Sequence, residues 1–110
     1  MLIKEVKAKI VKDSRGQKTI AVSVNGCAEA SSPNGKSTGK YETPSYYKSL
    51  KFCVDFLNGW NDEIEIEKFD DLALVEKAIC KKLGLKNARE FGANSLYAFE
   101  SAILKALAKE

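Results

Sequence analysis

The chain changes its hydrophobic period partway along, and this change restricts the fold more than any other feature. Alternation of polar and apolar residues over Lys4–Lys12 and Thr19–Val24 predicts two strands, each with one face toward solvent. Asn25-Gly26 is the preferred residue pair of a two-residue type I′ hairpin. A third strand is therefore expected from Cys27 to about Ser31, which completes an antiparallel meander.

The predicted meander has one apolar face that must be covered. Val6, Ala8 and Ile10 should point inward from the first strand. On the third strand the inward residues would be Ala28 and Ala30, whose small side chains let another element pack closely. Three strands alone are not stable in water, so we expect the remaining chain to cover them.

The apolar spacing after residue 45 predicts a first helix that carries Tyr46, Leu50 and Leu57, with Ser45 as its N-cap. Asn58-Gly59 would end this helix. Both Cys53 and Val54 fall on the same stripe.

Two further helices follow in the same pattern. The second is predicted from about Asp71 to Leu83, with Asp70 as its cap and Gly84 at its end. The third begins near Asn94. Its predicted inward stripe consists of Leu96, Phe99, Ile103 and Leu107.

Strands first and helices afterwards are typical of an α+β fold with a three-stranded meander followed by three to four helices. A length of 110 residues suits one domain, with a meander over 3–32, a loop over 32–44 and a helical part over 45–110. The five aromatic residues along the first helix and its exit are expected mainly in packing, with an exposed partner surface as the alternative. They are Tyr46, Tyr47, Phe52, Phe56 and Trp60.

Composition excludes several kinds of chemistry. The chain has no histidine, which removes the commonest general base and the usual zinc ligand. Cys27, Cys53 and Cys80 form no Cys-x-x-Cys pair, so we expect buried free thiols. A net charge of +3 does not indicate a nucleic-acid partner. Without an apolar leader or membrane-length run, a cytoplasmic protein that binds no membrane is expected.

The loop over 32–44 contains both prolines of the chain and has no periodicity, and loops of this length are often functional. Gly35-Lys36-Ser37 resembles the end of a P-loop, but that motif needs a glycine where this chain has Ala30. A weaker prediction remains, in which backbone N–H groups, Lys36 and Lys40 attract an anion. A merely solvated surface loop is the alternative.

Three motifs occur in order along the chain: Asp13-Ser14-Arg15-Gly16, then Pro33-Asn34-Gly35-Lys36-Ser37-Thr38-Gly39 with Tyr41-Glu42, and then Phe91-Gly92-Ala93-Asn94-Ser95-Leu96. Together they resemble the N-terminal domain of enolase, the phosphopyruvate hydratase of glycolysis. The resemblance covers about Val6 to Ala108. It implies a fold with a three-stranded meander followed by helices, in agreement with the periodicity.

The resemblance implies that this domain is one part of a Mg²⁺-dependent lyase site. In enolases the base that abstracts the proton, the acid carboxylate and the carboxylate ligands of the first metal belong to a C-terminal barrel, which is absent from these 110 residues. We therefore expect no catalytic residue within this chain, and no tight Mg²⁺ binding without a barrel. By position Ser37 would ligate the second Mg²⁺. The substrate loop would comprise Asn34, Gly35, Lys36, Ser37, Thr38 and Gly39.

The resemblance also implies partners. Enolases are dimers in which the meander meets the other subunit's barrel, so the surface around Arg15 is the expected interface. Three departures from the family pattern stand out. Lys36 places a positive charge beside Ser37, and Glu29 replaces a usual arginine. Ser45-Tyr46-Tyr47-Lys48 replaces a usual Glu-Leu-Arg-Asp run.

Three hypotheses follow from these matches and departures. The chain could be a lid that works with a barrel on a separate chain, or an interaction or anion-binding module that has lost the chemistry. The third hypothesis, autonomous enolase activity, is not expected, because the base and the metal carboxylates are missing. In each case, the surface around Arg15 would lack its usual partner and could self-associate instead.

Overall fold

The computed structural model describes residues 1–32 and 45–109. They form an antiparallel sheet of strands β1 (Val6–Lys12), β2 (Lys18–Val24) and β3 (Ala30–Ser31) in the order β1-β2-β3. Three helices follow: α1 (Leu50–Asn58), α2 (Leu72–Leu83) and α3 (Ala93–Ala108). Short 3₁₀ turns, Phe69–Asp71 and Ala88–Phe91, precede α2 and α3. The predicted α+β class is confirmed.

The predicted hairpin turn is confirmed in its backbone. Asn25 and Gly26 both have positive φ, 54° and 74°, as a type I′ turn requires, and the Cys27 N–H donates to the Val24 carbonyl at 3.0 Å. The Asn25 side chain also holds the residues before β1, because its Oδ1 accepts from the N–H groups of Lys4 and Glu5 at 2.8 and 3.0 Å.

The third strand is shorter than predicted. Only Ala30 and Ser31 pair with β2, and Ala28 is exposed instead of facing inward. The carbonyl of Glu29 accepts from Lys105 Nζ on α3 at 2.8 Å. Before Ala30 the chain is therefore held by a helix side chain rather than by strand pairing.

The core lies between the sheet and the helices, with α3 against β2 and β3 and α1 against β1. β2 is its centre, since Ile20, Val22 and Val24 are fully buried. The inward prediction holds for Val6 and fails for Ile10, which is 44% exposed near the far end of the hairpin.

Helix α3 meets the sheet with small side chains. Ala98, Ala102 and Ala106 are buried beside Phe99 and Ile103, whereas Leu96 and Leu107 of the predicted stripe are only half-buried. The close approach that the sequence assigned to alanines of the third strand is thus supplied mainly by alanines of the helix.

Two predicted helix caps are wrong by one residue or more. The N-cap of α1 is Ser49, whose Oγ accepts from the Phe52 N–H at 3.0 Å, and not Ser45. Before α2, Asp71 rather than Asp70 binds the backbone, through Oδ2 to the N–H groups of Glu67 and Lys68. The 3₁₀ turn delays the start of α2 to Leu72. Gly84 ends α2 with φ of 70°, as expected.

All three cysteines are free thiols. Cys53 is buried as predicted, while Cys27 and Cys80 are half-buried. Of the aromatic group, Trp60 is buried, and Tyr46, Tyr47, Phe52 and Phe56 are partly exposed. In the described part of the chain, no helix has the length and hydrophobicity to cross a membrane.

Candidate functional site at the base of the 33–44 segment

The predicted substrate-loop residues, Asn34 through Gly39 with Ser37 among them, lie outside the described residues. The structure does describe both flanks of this segment, up to Ser32 on one side and from Ser45 on the other. The flanks meet the third sequence motif, and this junction is the candidate functional site.

A directional chain of hydrogen bonds links the two flanks. Thr19 Oγ1 donates to the Ser32 carbonyl at 2.7 Å, so its remaining capacity is to accept. The Tyr46 hydroxyl lies 3.1 Å from Thr19 Oγ1 and donates to it, and it accepts from Asn94 Nδ2 at 3.3 Å. We call these four residues, Thr19, Ser32, Tyr46 and Asn94, the loop base.

The loop base is withdrawn from solvent at its centre. Thr19 is 1% exposed and Ser32 is 3% exposed. A buried hydroxyl without a partner costs about 1–3 kcal/mol, so these bonds are required rather than incidental. The Ser32 N–H also donates to the Ile20 carbonyl at 3.4 Å, which fixes the first flank to β2.

Gly92 allows the second flank to approach α3. Its φ is 113°, and a Cβ placed there would lie 2.5 Å from the Ser45 carbonyl oxygen and 2.6 Å from Tyr46 Cα. The Asn94 N–H then donates to the Ser45 carbonyl at 3.0 Å. The third motif therefore needs glycine for the close approach and Asn94 to bind the flank through backbone and side chain.

Phe91 adds a second attachment for the same flank. Its carbonyl accepts from the Tyr47 N–H at 2.9 Å and from the buried Ser95 hydroxyl. The Cys53 thiol lies 3.5 Å from the Tyr47 carbonyl oxygen. Burial raises the pKa of Cys53, so this thiol is a neutral donor and not a nucleophile.

A cation lies beside this flank. Lys48 has φ of 63°, and its Nζ lies 5.6 and 5.3 Å from the ring centroids of Tyr47 and Phe52. The two rings pack edge to face at 5.5 Å. The left-handed conformation of Lys48 prevents α1 from beginning before Ser49, which explains why the predicted N-cap at Ser45 is wrong.

The first motif forms the turn between β1 and β2. Asp13 Oδ1 accepts from the N–H groups of Arg15 and Gln17, both at 2.9 Å, and Gly16 has φ of 80°. Arg15 is exposed in this turn, and its role as an interface residue stays a prediction. β2 carries Thr19 of the loop base two residues after Gln17, so this motif sets the start of the strand that anchors the loop base.

The described residues do not make a metal site. Within residues 1–32 and 45–109, no three carboxylate or cysteine side chains converge on a point where an ion could bind. A divalent ion would need ligands from elsewhere, and no chemical step is assigned to Mg²⁺ on this domain alone.

Sequence reasoning missed several members of the site. Tyr46 fitted a helical stripe, and nothing in the periodicity distinguished it from a core residue. Thr19 was an ordinary strand residue in the alternating pattern. The third motif was the one signal that could have located the site, because a glycine immediately before a helix start can indicate close backbone contact.

Comparisons with known proteins identify the family of the chain. The family described as "Enolase, N-terminal domain" matches residues 3–110. Enolases of Ehrlichia ruminantium, strains Gardel and Welgevonden, are each 31% identical over 121 residues. The match covers 96% of this chain, which spans 28% of the length of these curated relatives. The chain therefore belongs to the enolase N-terminal domain family.

Proposed function

We propose that the chain is the lid domain of an enolase site and presents Ser37 on the 33–44 segment to a barrel domain. The loop base carries this proposal, because Thr19, Tyr46 and Asn94 bind both flanks of the segment that would cover the substrate. The reaction would be the Mg²⁺-dependent interconversion of 2-phosphoglycerate and phosphoenolpyruvate, in cytoplasmic glycolysis. The barrel could lie in the same polypeptide or in another chain.

This domain and the barrel would have different roles in the reaction, because they hold different residues. This chain has no histidine, and its described carboxylates do not converge into a metal site. In enolases the base that abstracts the proton and the carboxylate ligands of the first metal belong to the barrel, so residues 1–110 alone would be inactive. Its contribution is to hold the flanks of a loop so that less conformational freedom is lost when the loop closes over substrate.

The 33–44 segment has the chemistry to meet a phosphorylated substrate. Its sequence contains Lys36 and Lys40, which would attract the phosphate. The Ser37 hydroxyl would be a ligand of the second Mg²⁺ once the barrel and substrate supply its other oxygen ligands. Without those other ligands, the neutral Ser37 hydroxyl would bind Mg²⁺ weakly.

A chimera tests the proposal. Residues 1–110 replace the corresponding N-terminal domain of Ehrlichia ruminantium enolase, and Mg²⁺-dependent formation of phosphoenolpyruvate from 2-phosphoglycerate is measured. The proposal expects activity in the chimera, none in residues 1–110 alone, and a loss of at least about 100-fold in Ser37→Ala. Ser101→Ala on α3 is the matched hydroxyl deletion and should retain activity.

The same experiment distinguishes the alternative. A chimera that is folded, as shown by cooperative unfolding, but forms no phosphoenolpyruvate would contradict the lid proposal. This result would favour a module that kept the fold and lost the chemistry. Equal activity of Ser37→Ala and Ser101→Ala would show that the segment does not serve the reaction.

A further inference from the structure

Strand β1 is an edge of the sheet, and its hydrogen bonds show which of its peptide groups face outward. In the described part of the chain, β1 pairs with β2 alone. The Glu5 carbonyl accepts from the Asn25 N–H at 2.8 Å, so the odd-numbered residues from Glu5 onward bind toward β2. The N–H and C=O groups of Val6, Ala8 and Ile10 therefore face away from the sheet.

The side chain of Asn58 takes the place of a neighbouring strand at Ala8. Its Oδ1 accepts from the Ala8 N–H at 2.7 Å, and its Nδ2 donates to the Ala8 carbonyl at 3.0 Å. A residue of an antiparallel strand makes the same pair of bonds with the residue directly opposite. Asn58 is the last residue of α1 and is exposed, so its side chain can turn away without opening the core.

A groove of about 610 Å³ follows this edge of the sheet. Residues 4–9 line it along the strand, and Ser23, Asn58 and Trp60 are among its other lining residues. At about 3.4 Å per residue, the groove matches an extended segment of about six residues. The edge therefore has both unused strand geometry and room for a further strand.

The charge along the edge is mainly positive. Residues 4–12 contain four lysines and one glutamate. The ion pairs of Lys9 with Glu29 at 2.7 Å and of Lys7 with Glu5 at 3.7 Å are exposed, so each contributes little and can exchange. A second copy of β1 would bring lysines against lysines, whereas an acidic segment would meet complementary charge.

We propose that the β1 edge binds an extended acidic segment of a partner protein as a fourth, antiparallel strand, in exchange for the Asn58 side chain. The segment takes over the two bonds at Ala8 and adds a further pair at Ile10. Side chains of a strand alternate between its two faces. Acidic residues of the segment then lie beside Lys7 and Lys9, and its apolar residues cover the exposed Ile10 side chain.

The lysines and Asn58 together make the edge selective. A neutral or basic strand would leave the lysine charges unpaired or opposed, which is how edge strands are ordinarily protected from wrong pairing. The Asn58 amide adds to this protection, because an incoming strand must displace it. A partner therefore needs an extended backbone and negative charge at the same time.

The experiment titrates an eight-residue peptide of alternating glutamate and valine into the chain and follows the fluorescence of Trp60, the single tryptophan. We expect saturable binding that Asn58→Ala tightens about 5-fold or more, because the competing amide is gone. Lys7→Glu combined with Lys9→Glu should weaken binding at least about 10-fold. Asn61→Ala is the matched amide deletion, since its side chain binds α2, and it should leave the affinity unchanged.

Methylated peptides test the strand pairing itself. In an antiparallel fourth strand the valines share the face of Ala8, so their N–H groups point toward β1 and those of the glutamates point away. N-methylation of the valines should therefore weaken binding at least about 10-fold, whereas N-methylation of the glutamates should not. The Ile10 amide should gain protection from hydrogen exchange when the unmethylated peptide binds.

Three results would overturn the proposal. They are an absence of saturable binding, equal binding of the two methylated peptides, and an affinity that Asn58→Ala leaves unchanged. Concentration-dependent dimers of the unaltered chain that Asn58→Ala strengthens would assign the edge to a second copy, and would overturn the acidic partner as well.

Discussion

The loop base and the β1–β2 turn are both held by side-chain hydrogen bonds, but they differ in burial and in the distance along the chain that these bonds span. At the loop base a chain of bonds runs from the Asn94 amide through two hydroxyls to the Ser32 carbonyl, and it joins residues 13 to 48 positions apart. At the turn, Asp13 Oδ1 accepts from exposed N–H groups only two and four residues away. Solvent can replace the bonds of the turn, whereas the buried hydroxyl of Thr19 has no such substitute.

The largest effect should come from the glycine that admits the loop base. Gly92→Ala forces a Cβ to within 2.5 Å of the Ser45 carbonyl oxygen, so the flank or α3 must move. We expect a loss of about 3 kcal/mol or more in the free energy of unfolding, measured with urea. Gly84→Ala is the matched control, because its φ is also positive at 70° but no atom lies within 4 Å of the added Cβ. It should cost about 1 kcal/mol, from backbone strain alone. Equal losses in the two variants would show that the close approach of Ser45 to Gly92 does not contribute to stability.

The raised pKa of Glu100 should give the next largest effect, and with a particular sign. Because the folded-state pKa of Glu100 is about 8 and lies above its ordinary value of 4.5, the folded chain binds more protons than the unfolded chain between these values. Stability is therefore greatest below about pH 4.5 as far as this group is concerned, and it falls as pH rises toward 8.

Glu100→Gln should abolish this fall while keeping a neutral side chain. Because Glu100 is only partly buried, solvent screening reduces the effect, and we expect the variant to be more stable than the unaltered chain by roughly 1–3 kcal/mol at pH 9. Urea unfolding at pH 5, 7 and 9 measures it. An identical slope of stability against pH in both proteins would contradict a raised pKa of Glu100 in the folded chain.

A smaller effect is expected at the hydroxyl in the middle of the loop base. Tyr46→Phe removes the donor to Thr19 Oγ1 and the acceptor of Asn94 Nδ2 while it keeps the ring. The expected loss is about 1 kcal/mol, the same at pH 5 and pH 9. Tyr97→Phe, on a side chain that is 55% exposed, should change stability by less than about 0.5 kcal/mol. A loss in Tyr46→Phe no larger than that in Tyr97→Phe would break the contrast between the loop base and the β1–β2 turn.

The smallest effect is expected in the β1–β2 turn. Asp13→Ala removes the oxygen that accepts from the Arg15 and Gln17 N–H groups, but solvent can replace it at this exposed position. We expect a loss of about 0.5–1 kcal/mol in thermal or urea unfolding. Ser14→Ala in the same turn provides the control and should be near neutral. A loss in Asp13→Ala as large as that in Gly92→Ala would show that the turn contributes more to the loop base than its hydrogen bonds indicate.

Local patterns predicted the parts of the fold that local chemistry decides. The Asn25-Gly26 turn follows from the positive φ that these residues tolerate, and Gly84 ends α2 for the same reason. The shortened third strand was not predictable, because Lys105 of α3 binds the Glu29 carbonyl across a separation of 76 residues. Likewise, Ser45 fails as a helix cap because left-handed Lys48 stops α1 from beginning before Ser49. The backbone at Ser45 and Tyr47 is bound instead by α3 and the 3₁₀ turn before it.

The candidate site divides in the same way. The third motif indicated Gly92 and Asn94. Gly92 is required because of its own positive φ and the backbone that packs against it. Thr19 and Tyr46 gain their role only from each other's position, 27 residues apart, and no periodicity distinguishes them. The raised pKa of Glu100 could not be predicted for the same reason, since a charged residue on the flank of a helix is ordinarily solvated.

The central claim is that the loop base serves the 33–44 segment and not only the fold. The most direct test is Asn94→Ala in the chimera with the Ehrlichia ruminantium barrel, with kcat/KM for 2-phosphoglycerate and Tm measured on the same sample and Ser101→Ala as control. The account predicts a loss of at least about 10-fold in kcat/KM at a temperature where the variant is fully folded. Unchanged kcat/KM in the folded Asn94→Ala chimera would contradict it.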